Sequence, residues 1–118
     1  MRLRNVPGAR EVMIENEYVF TEPEGMKGTW SQVFGNDNPI RIEIGMGKGT
    51  FITTLAANNP DINYVGIEKY SSVLLRAVEK QDELQLPNLR FIRMDAEAIC
   101  EVFGAGEAVS YTHLTLPT

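Results

Sequence analysis

Three strand-like segments alternate with three helix-like segments between residues 40 and 103. The strand-like segments are rich in β-branched residues, and the helix-like segments carry apolar residues at helical spacing. Strands are predicted over 40–44, 62–67 and 89–94, and helices over 50–57, 71–84 and 96–103. This alternation is typical of a parallel sheet, because a crossover must carry the chain back before the next parallel strand can begin. The sequence therefore predicts an α/β fold with three neighbouring parallel strands.

The amino-acid composition is that of an ordinary globular domain and argues against several other classes of protein. The chain has 118 residues, of which 43% are hydrophobic and 23% charged, as in ordinary globular domains. Its net charge of -5 argues against a strongly basic nucleic-acid binder. No apolar run approaches the roughly 18 residues that a membrane helix needs. With one cysteine and one histidine in the chain, we expect a cytoplasmic protein with no disulfide, no metal site and no membrane association.

The chain divides into three parts. Residues 1–38 lack a sustained period and contain several Pro and Gly residues, so we expect an N-terminal arm with a short helix over 26–34. Residues 39–108 hold the alternating pattern. Residues 109–118 contain no charged residue and look like translated sequencing-adapter sequence, so we expect a tail that is not native protein. The alternative is a fourth strand over 111–116.

Acidic residues and glycines stand where the predicted strands end. Glu43 precedes a turn that contains Gly45 and Gly47, while Glu68 and Asp95 follow the next two strands. Open parallel sheets bind ligands outside these strand ends, and glycines allow the backbone to approach a ligand closely. A carboxylate at Glu68 suits the two hydroxyls of a ribose, and one at Asp95 suits an adenine amino group. The pattern predicts an adenosine site.

The residues of the turn discriminate between adenosine ligands. A phosphate-binding loop needs Ser or Thr after Gly47-Lys48, where this chain has Gly49. The dinucleotide fingerprint needs a glycine at the position of Thr50. The carboxylate of Glu43 would repel a pyrophosphate and attract an ammonium group. These features favour S-adenosyl-L-methionine, and the NAD-binding half of an oxidoreductase is the alternative.

Six segments match a known family. They are MRLRN (1–5), WSQVFGN (30–36), IEIGMGKG (42–49), NPDINYVGIE (59–68), LPN (86–88) and DAE (95–97). Over roughly residues 1–108 the chain resembles bacterial tRNA (guanine-N7-)-methyltransferases. The combination of IEIGMGKG with NPDINYVGIE is far more specific to that family than the glycine turn alone.

The resemblance implies a fold, a cofactor and a reaction. The fold would be the Rossmann-like S-adenosylmethionine-dependent methyltransferase fold, truncated to about its first three parallel strands, in the spatial order 3-2-1. The cofactor contacts would be Glu43, Glu68 and Asp95, with Gly45 and Gly47 giving backbone room. The reaction would transfer a methyl group from S-adenosyl-L-methionine to N7 of guanine 46 in the variable loop of tRNA.

The chain also departs from that family. Members continue with a fourth strand and an Asp-Pro-Trp-Pro-Lys segment that has no counterpart here. We therefore expect an unpaired edge on strand 40–44, no catalytic residue, an inactive fragment and weak or absent tRNA binding. A cofactor-binding module without turnover is the second alternative. Arg2, Arg4 and Arg10 are the local candidates for contact with tRNA phosphates.

Overall fold

The structure, a computed structural model, describes residues 8–108 and 110–113. The helices in this part of the chain are α1 (Ala9–Glu15), α2 (Trp30–Phe34), α3 (Thr50–Asn58), α4 (Ser71–Leu84) and a 3-10 helix (Ala96–Glu101). The strands are β1 (Val19–Phe20), β2 (Ile40–Ile44), β3 (Asn63–Glu68), β4 (Leu89–Arg93) and β5 (Ser110–His113). Across these two ranges, none of the helices combines the length and the apolar composition needed to cross a bilayer.

The strands form one parallel sheet in the order β1-β4-β3-β2-β5. Its centre consists of the three strands that the sequence predicts, in the predicted order. Val65 of β3 lies opposite Ile42 of β2 on one side and opposite Arg90 of β4 on the other. The α/β fold class and the parallel arrangement are therefore confirmed.

The N-terminal part contains more regular structure than an arm with one short helix. Its described residues include α1 and β1, and β1 extends the sheet by pairing Val19 with Phe91. Met13 of α1 is fully buried in the core, which explains why so short a helix is held in place. A seven-residue helix and a two-residue strand are too short to produce a recognisable period in the sequence.

The predicted unpaired edge of the sheet is wrong. Strand β5 pairs in parallel with β2, placing Ser110 opposite Arg41 and His113 opposite Ile44. The sheet therefore has five strands among the described residues rather than three. Strand pairing uses backbone N–H and C=O groups, so it depends on which segment reaches the free edge. The alternative strand over 111–116 overlaps β5, but residues 114–118 lie outside the described residues.

Two apolar layers cover the two faces of the sheet. One layer lies under α3 and α4 and includes Ile52, Leu74 and Phe91. The other contains Trp30, whose ring stacks on that of Phe103 at 4.9 Å between centroids. The Trp30 indole N–H also donates to the carbonyl oxygen of residue 102 at 3.0 Å. These layers fix the sheet and so fix the positions of its strand ends.

Candidate functional site

The carboxyl ends of β2, β3 and β4 surround a cavity of about 260 Å³. It is lined by Ile44, Gly45, Ile67, Glu68, Lys69, Tyr70, Met94, Asp95 and Ala96. Parallel strands bring their carboxyl ends to one edge of the sheet, which explains why three distant sequence segments meet here. Small-molecule sites are typically roughly 300–1,000 Å³. The cavity therefore suits a nucleoside-sized part of a ligand.

Glu68 closes β3 and is half-buried in the cavity wall. Its Oε1 accepts a hydrogen bond from the Gly47 N–H at 3.3 Å, and its Oε2 accepts one from the Tyr70 N–H at 3.3 Å. An ionised carboxylate has about four acceptor sites, so these two long bonds leave acceptor capacity unused. Glu68 can therefore hold the turn after β2 and still accept hydrogen bonds from a ligand.

Asp95 lies on the same cavity and has a structural role as well. Its Oδ1 accepts from the Glu97 N–H at 3.0 Å and caps the 3-10 helix Ala96–Glu101. The sequence predicts a longer helix over 96–103, whereas the structure has a tighter 3-10 helix that ends earlier. The Asp95 side chain is exposed, and its Oδ2 makes no hydrogen bond within the described part of the chain. That oxygen is free to accept from a ligand.

The turn after β2 depends on left-handed backbone conformations. Gly45, Gly47 and Gly49 have φ values of 69°, 60° and 78°. The Gly45 N–H donates to the Ile67 carbonyl at 2.9 Å, which anchors the turn to β3. A Cβ on Gly49 would lie 2.6 Å from the Cβ of Ala77 on α4. Glycine is thus required here both for conformation and for close packing.

Glu43 is a predicted cofactor contact, but the structure buries it. It is 3% exposed and does not line the cavity, although its neighbours Ile44 and Gly45 do. Neither carboxylate oxygen of Glu43 has a hydrogen-bond partner among the described residues. Burial raises the pKa of Glu43 from 4.5 to about 7. The residue is a carboxyl group held in an apolar setting directly before the turn.

The structure therefore brings together part of the predicted set. Gly45, Glu68 and Asp95 line one cavity. Gly47 reaches this site through its N–H bond to Glu68, whereas Glu43 lies buried next to it. The shared position at one edge of the sheet follows from the parallel strands, but the depth of each side chain depends on packing.

Sequence reasoning did not identify the rest of the cavity wall. Lys69 and Tyr70 follow Glu68, and the Lys69 ammonium lies 5.1 Å from the centre of the Tyr70 ring. A hydrogen bond with Tyr70, its electrostatic interaction with Lys69 and that of the nearby Asp95 raise the pKa of Lys69. The sequence feature that could have identified Lys69 and Tyr70 is their position directly after Glu68, at the end of a strand. Met94 and Ala96 flank Asp95 in the same way.

The predicted contacts with tRNA phosphates lie outside what the structure describes. Arg2 and Arg4 lie outside the described residues, and the side chain of Arg10 is likewise not described. Within residues 8–108 and 110–113, no three His, Cys, Asp or Glu side chains gather in a metal-binding arrangement.

A family model matches most of the strand-and-helix region. Residues 37–111 match Methyltransf_4, described as "Putative methyltransferase". The match spans β2, β3 and β4 and includes every strand end that lines the cavity.

Curated bacterial proteins match over nearly the whole chain. The tRNA (guanine-N(7)-)-methyltransferase of Lachnoclostridium phytofermentans is 63% identical over 107 residues, covering 91% of this chain and 50% of that protein. Proteins of the same name from Geobacillus sp. and Bacillus licheniformis are 52% and 46% identical over 108 residues. Each of these two matches covers 91% of this chain, and they cover 49% and 51% of the respective relatives. The chain spans about half the length of these curated relatives.

Solved structures share the fold at low sequence identity. An antibiotic-related methyltransferase matches with a TM-score of 0.57 and 24% identity, over 75% of this chain and 46% of that chain. The bifunctional kinase-methyltransferase WbdD matches with a TM-score of 0.56 and 18% identity, over 92% of this chain and 21% of its own. At these identities the likeness concerns the fold alone.

Proposed function

The chain belongs to the Methyltransf_4 family of methyltransferases, and from this premise we propose that it forms the cofactor-binding half of a tRNA (guanine-N7-)-methyltransferase. The methyl donor is S-adenosyl-L-methionine, and the acceptor is N7 of guanine 46 in the variable loop of tRNA. Three similar bacterial proteins carry the tRNA (guanine-N(7)-)-methyltransferase name, which supports the substrate class. A tRNA substrate implies a cytoplasmic protein.

One observation carries the cofactor assignment. Gly45, Glu68 and Asp95 meet in a single cavity whose remaining walls include the apolar side chains of Ile67 and Met94. A purine nucleoside needs such apolar walls for its base and a few acceptors for its polar edge. The buried carboxyl of Glu43, which has no hydrogen-bond partner among the described residues, directly precedes the cavity-lining Ile44 and Gly45 and adds a site for a positive group. The residues present therefore fit an adenosine ligand with a cationic end.

Each residue has a proposed role in holding the cofactor. The free acceptor capacity of Glu68 receives the ribose hydroxyls, and Oδ2 of Asp95 receives the adenine amino group. Glu43 faces the ammonium of the amino-acid portion. Gly45 and Gly47 allow the backbone to pass close to the ligand, since neither carries a Cβ.

The same residues account for what the site contributes to catalysis. When bound, S-adenosyl-L-methionine supplies a methyl group that a nucleophile can accept. Guanine N7 carries a lone pair and needs no deprotonation, so the protein must chiefly position the two reactants. We assign the described residues to binding and orientation of the donor, and none to proton transfer in the methyl-transfer step.

The extent of the chain leads to a further part of the proposal. It spans about half the length of the curated relatives, so we propose that these 118 residues alone bind cofactor weakly, bind little or no tRNA and do not turn over. We also propose that residues 1–38 form an N-terminal part, that residues 39–108 form the first half of the methyltransferase domain, and that residues 109–118 are not native sequence.

Two measurements test the proposal. Calorimetry with S-adenosylhomocysteine and with NAD should show heat of binding for the first only. Binding of NAD alone would instead support the oxidoreductase alternative. A methyl-transfer assay on unmodified tRNA should show no turnover by this chain, and measurable turnover would refute its proposed inactivity while leaving the cofactor assignment intact.

A further inference from the structure

Among the side chains that the structure describes, none stabilises a charge on the carboxyl of Glu43. The residue is 3% exposed, and neither Oε1 nor Oε2 has a hydrogen-bond partner in that set. It projects to the face of the sheet covered by α3 and α4, since Ile42 and Ile44 on either side pack into the opposite layer. The β3 residue opposite Glu43 is Gly66, where an added Cβ would collide with Met46 Sδ. An ionised carboxylate in this setting would lose its hydration without compensation.

Within the part of the chain whose side chains are described, no charged group nearby makes up for the missing hydrogen bonds. The ionisable residues on the same face of β2 and β3 as Glu43 are Arg41, Tyr64 and Glu68. Arg41 lies two residues before Glu43 on β2 and is exposed, and the other two belong to β3. Helix α3 contains no ionisable residue. On α4, Lys80 donates instead to Thr50 Oγ1 at 2.6 Å.

The remaining charges on α4 do not offset this burial. They are those of Arg76, Glu79, Asp82 and Glu83, and Arg76 pairs with Glu79. Burial is the only cause that raises the pKa of Glu43 to about 7.

We infer that Glu43 is a neutral carboxylic acid in the free protein and that binding of a cationic ligand at the adjacent site drives its proton into the solvent. The O–H bond of the acid breaks, the proton passes to the buffer, and the carboxylate then faces the ligand's positive charge. Binding at this site is thereby coupled to pH. The identity of the ligand, an amino-acid ammonium, rests on the proposed function. The protonation state of Glu43 in the free protein does not depend on it.

The free protein can be tested without a ligand. Carboxyl ¹³C chemical shifts of the glutamates, followed by NMR against pH, should show one group with a midpoint near pH 7. That signal should be absent in Glu43→Gln, which keeps the shape of the side chain, and present in Glu83→Gln, an exposed control on α4. If every glutamate titrates at acidic pH in the wild-type chain, the inference is overturned.

Ligand coupling is tested by calorimetry with S-adenosylhomocysteine. At pH 7 the observed heat should depend on the ionisation enthalpy of the buffer, with release of about half a proton per ligand bound. Affinity should rise about tenfold between pH 6 and pH 8, since a smaller share of the protein must then lose a proton. Glu43→Gln should abolish both effects, and Glu83→Gln should retain them.

The outcomes separate the two proposals. Binding with the same heat in all buffers would overturn the proton release and leave the proposed cofactor standing. Absence of binding would refute the proposed cofactor and with it the ligand-coupled step, while the NMR midpoint would still decide the protonation of Glu43.

Discussion

The Gly47 N–H donates a hydrogen bond to Oε1 of Glu68 at 3.3 Å, which joins the glycine turn after β2 to the end of β3. The other oxygen, Oε2, accepts from the Tyr70 N–H at the start of α4. Glu68 therefore connects three segments before any ligand arrives. A side chain proposed to bind ribose also helps to hold the shape of the site that receives it.

Replacing Glu68 should weaken cofactor binding. We expect Glu68→Ala to reduce the affinity for S-adenosylhomocysteine by about 1–3 kcal/mol, because charge-assisted hydrogen bonds are lost. Calorimetry measures the effect, and Glu83→Ala on the exposed face of α4 is the matched control. An unchanged affinity in Glu68→Ala would exclude this residue from the site.

Two glycines of the same turn should differ in their tolerance of alanine. Both Gly47 and Gly49 have positive φ, but a Cβ on Gly47 meets nothing within 4 Å, whereas one on Gly49 meets Ala77 Cβ at 2.6 Å and its Cα at 3.2 Å. We expect Gly47→Ala to cost about 1 kcal/mol of unfolding free energy through backbone strain. Gly49→Ala should cost about 3 kcal/mol or more, since the collision with α4 adds to that strain.

Chemical denaturation without ligand measures this difference directly. Equal losses in the two variants would contradict the close packing of the turn against α4.

The free energy of unfolding should depend on pH through Glu43. Its pKa is raised from 4.5 to about 7 in the folded protein, so the folded state holds a proton that the unfolded chain loses. The stability associated with that proton is fully present below pH 4.5 and is lost as pH rises through about 7. The loss amounts to about 3 kcal/mol at roughly 1.4 kcal/mol per pH unit.

Glu43→Gln should remove this pH dependence. Denaturation curves should therefore show the variant gaining stability relative to wild type between pH 4 and pH 8. Parallel pH profiles for the two proteins would rule out a neutral Glu43 in the folded state.

Glu107 should stabilise the fold through backbone hydrogen bonds. Its carboxylate accepts from the N–H groups of Gly104, Gly28 and Trp30 at 2.8, 2.9 and 3.1 Å. Burial acts to raise the pKa of Glu107, but these donors outweigh it and leave the pKa lowered. We expect Glu107→Gln to lower the free energy of unfolding by about 1–3 kcal/mol at pH 7, because charged acceptors form stronger bonds.

The sign of its pH dependence is opposite to that of Glu43. A lowered pKa gives stability that is present above the unfolded pKa and is lost as pH falls through the folded one. The difference between Glu107→Gln and wild type should therefore shrink in acid. A difference that stays constant between pH 3 and pH 7 would show that the charge of Glu107 does not matter.

Local sequence patterns determined the centre of the fold. Strands β2 to β4 and helix α4 have enough consecutive residues to display their periods, and α4 begins and ends where the pattern predicts. Glu68 and Asp95 were recognisable because each directly follows a predicted strand, and parallel strands end at one edge. These features depend on neighbours in the chain, so they can be read without the tertiary structure.

Long-range contacts decided the rest. The pairing of β1 with β4 and of β5 with β2 joins segments about 70 residues apart. The two-residue strand β1 is too short to show a period, and although a strand over 111–116 was the alternative for the tail, the sequence did not indicate that it would pair with β2. The burial of Glu43, which has no hydrogen-bond partner among the described residues, depends on how the surrounding elements pack around β2. Likewise, only the packed structure shows that Tyr70 lines the cavity. The sequence alone specified which groups stand at the strand ends; the tertiary structure decided which of them meet water, a partner or neither, because solvation is a property of the assembled surroundings.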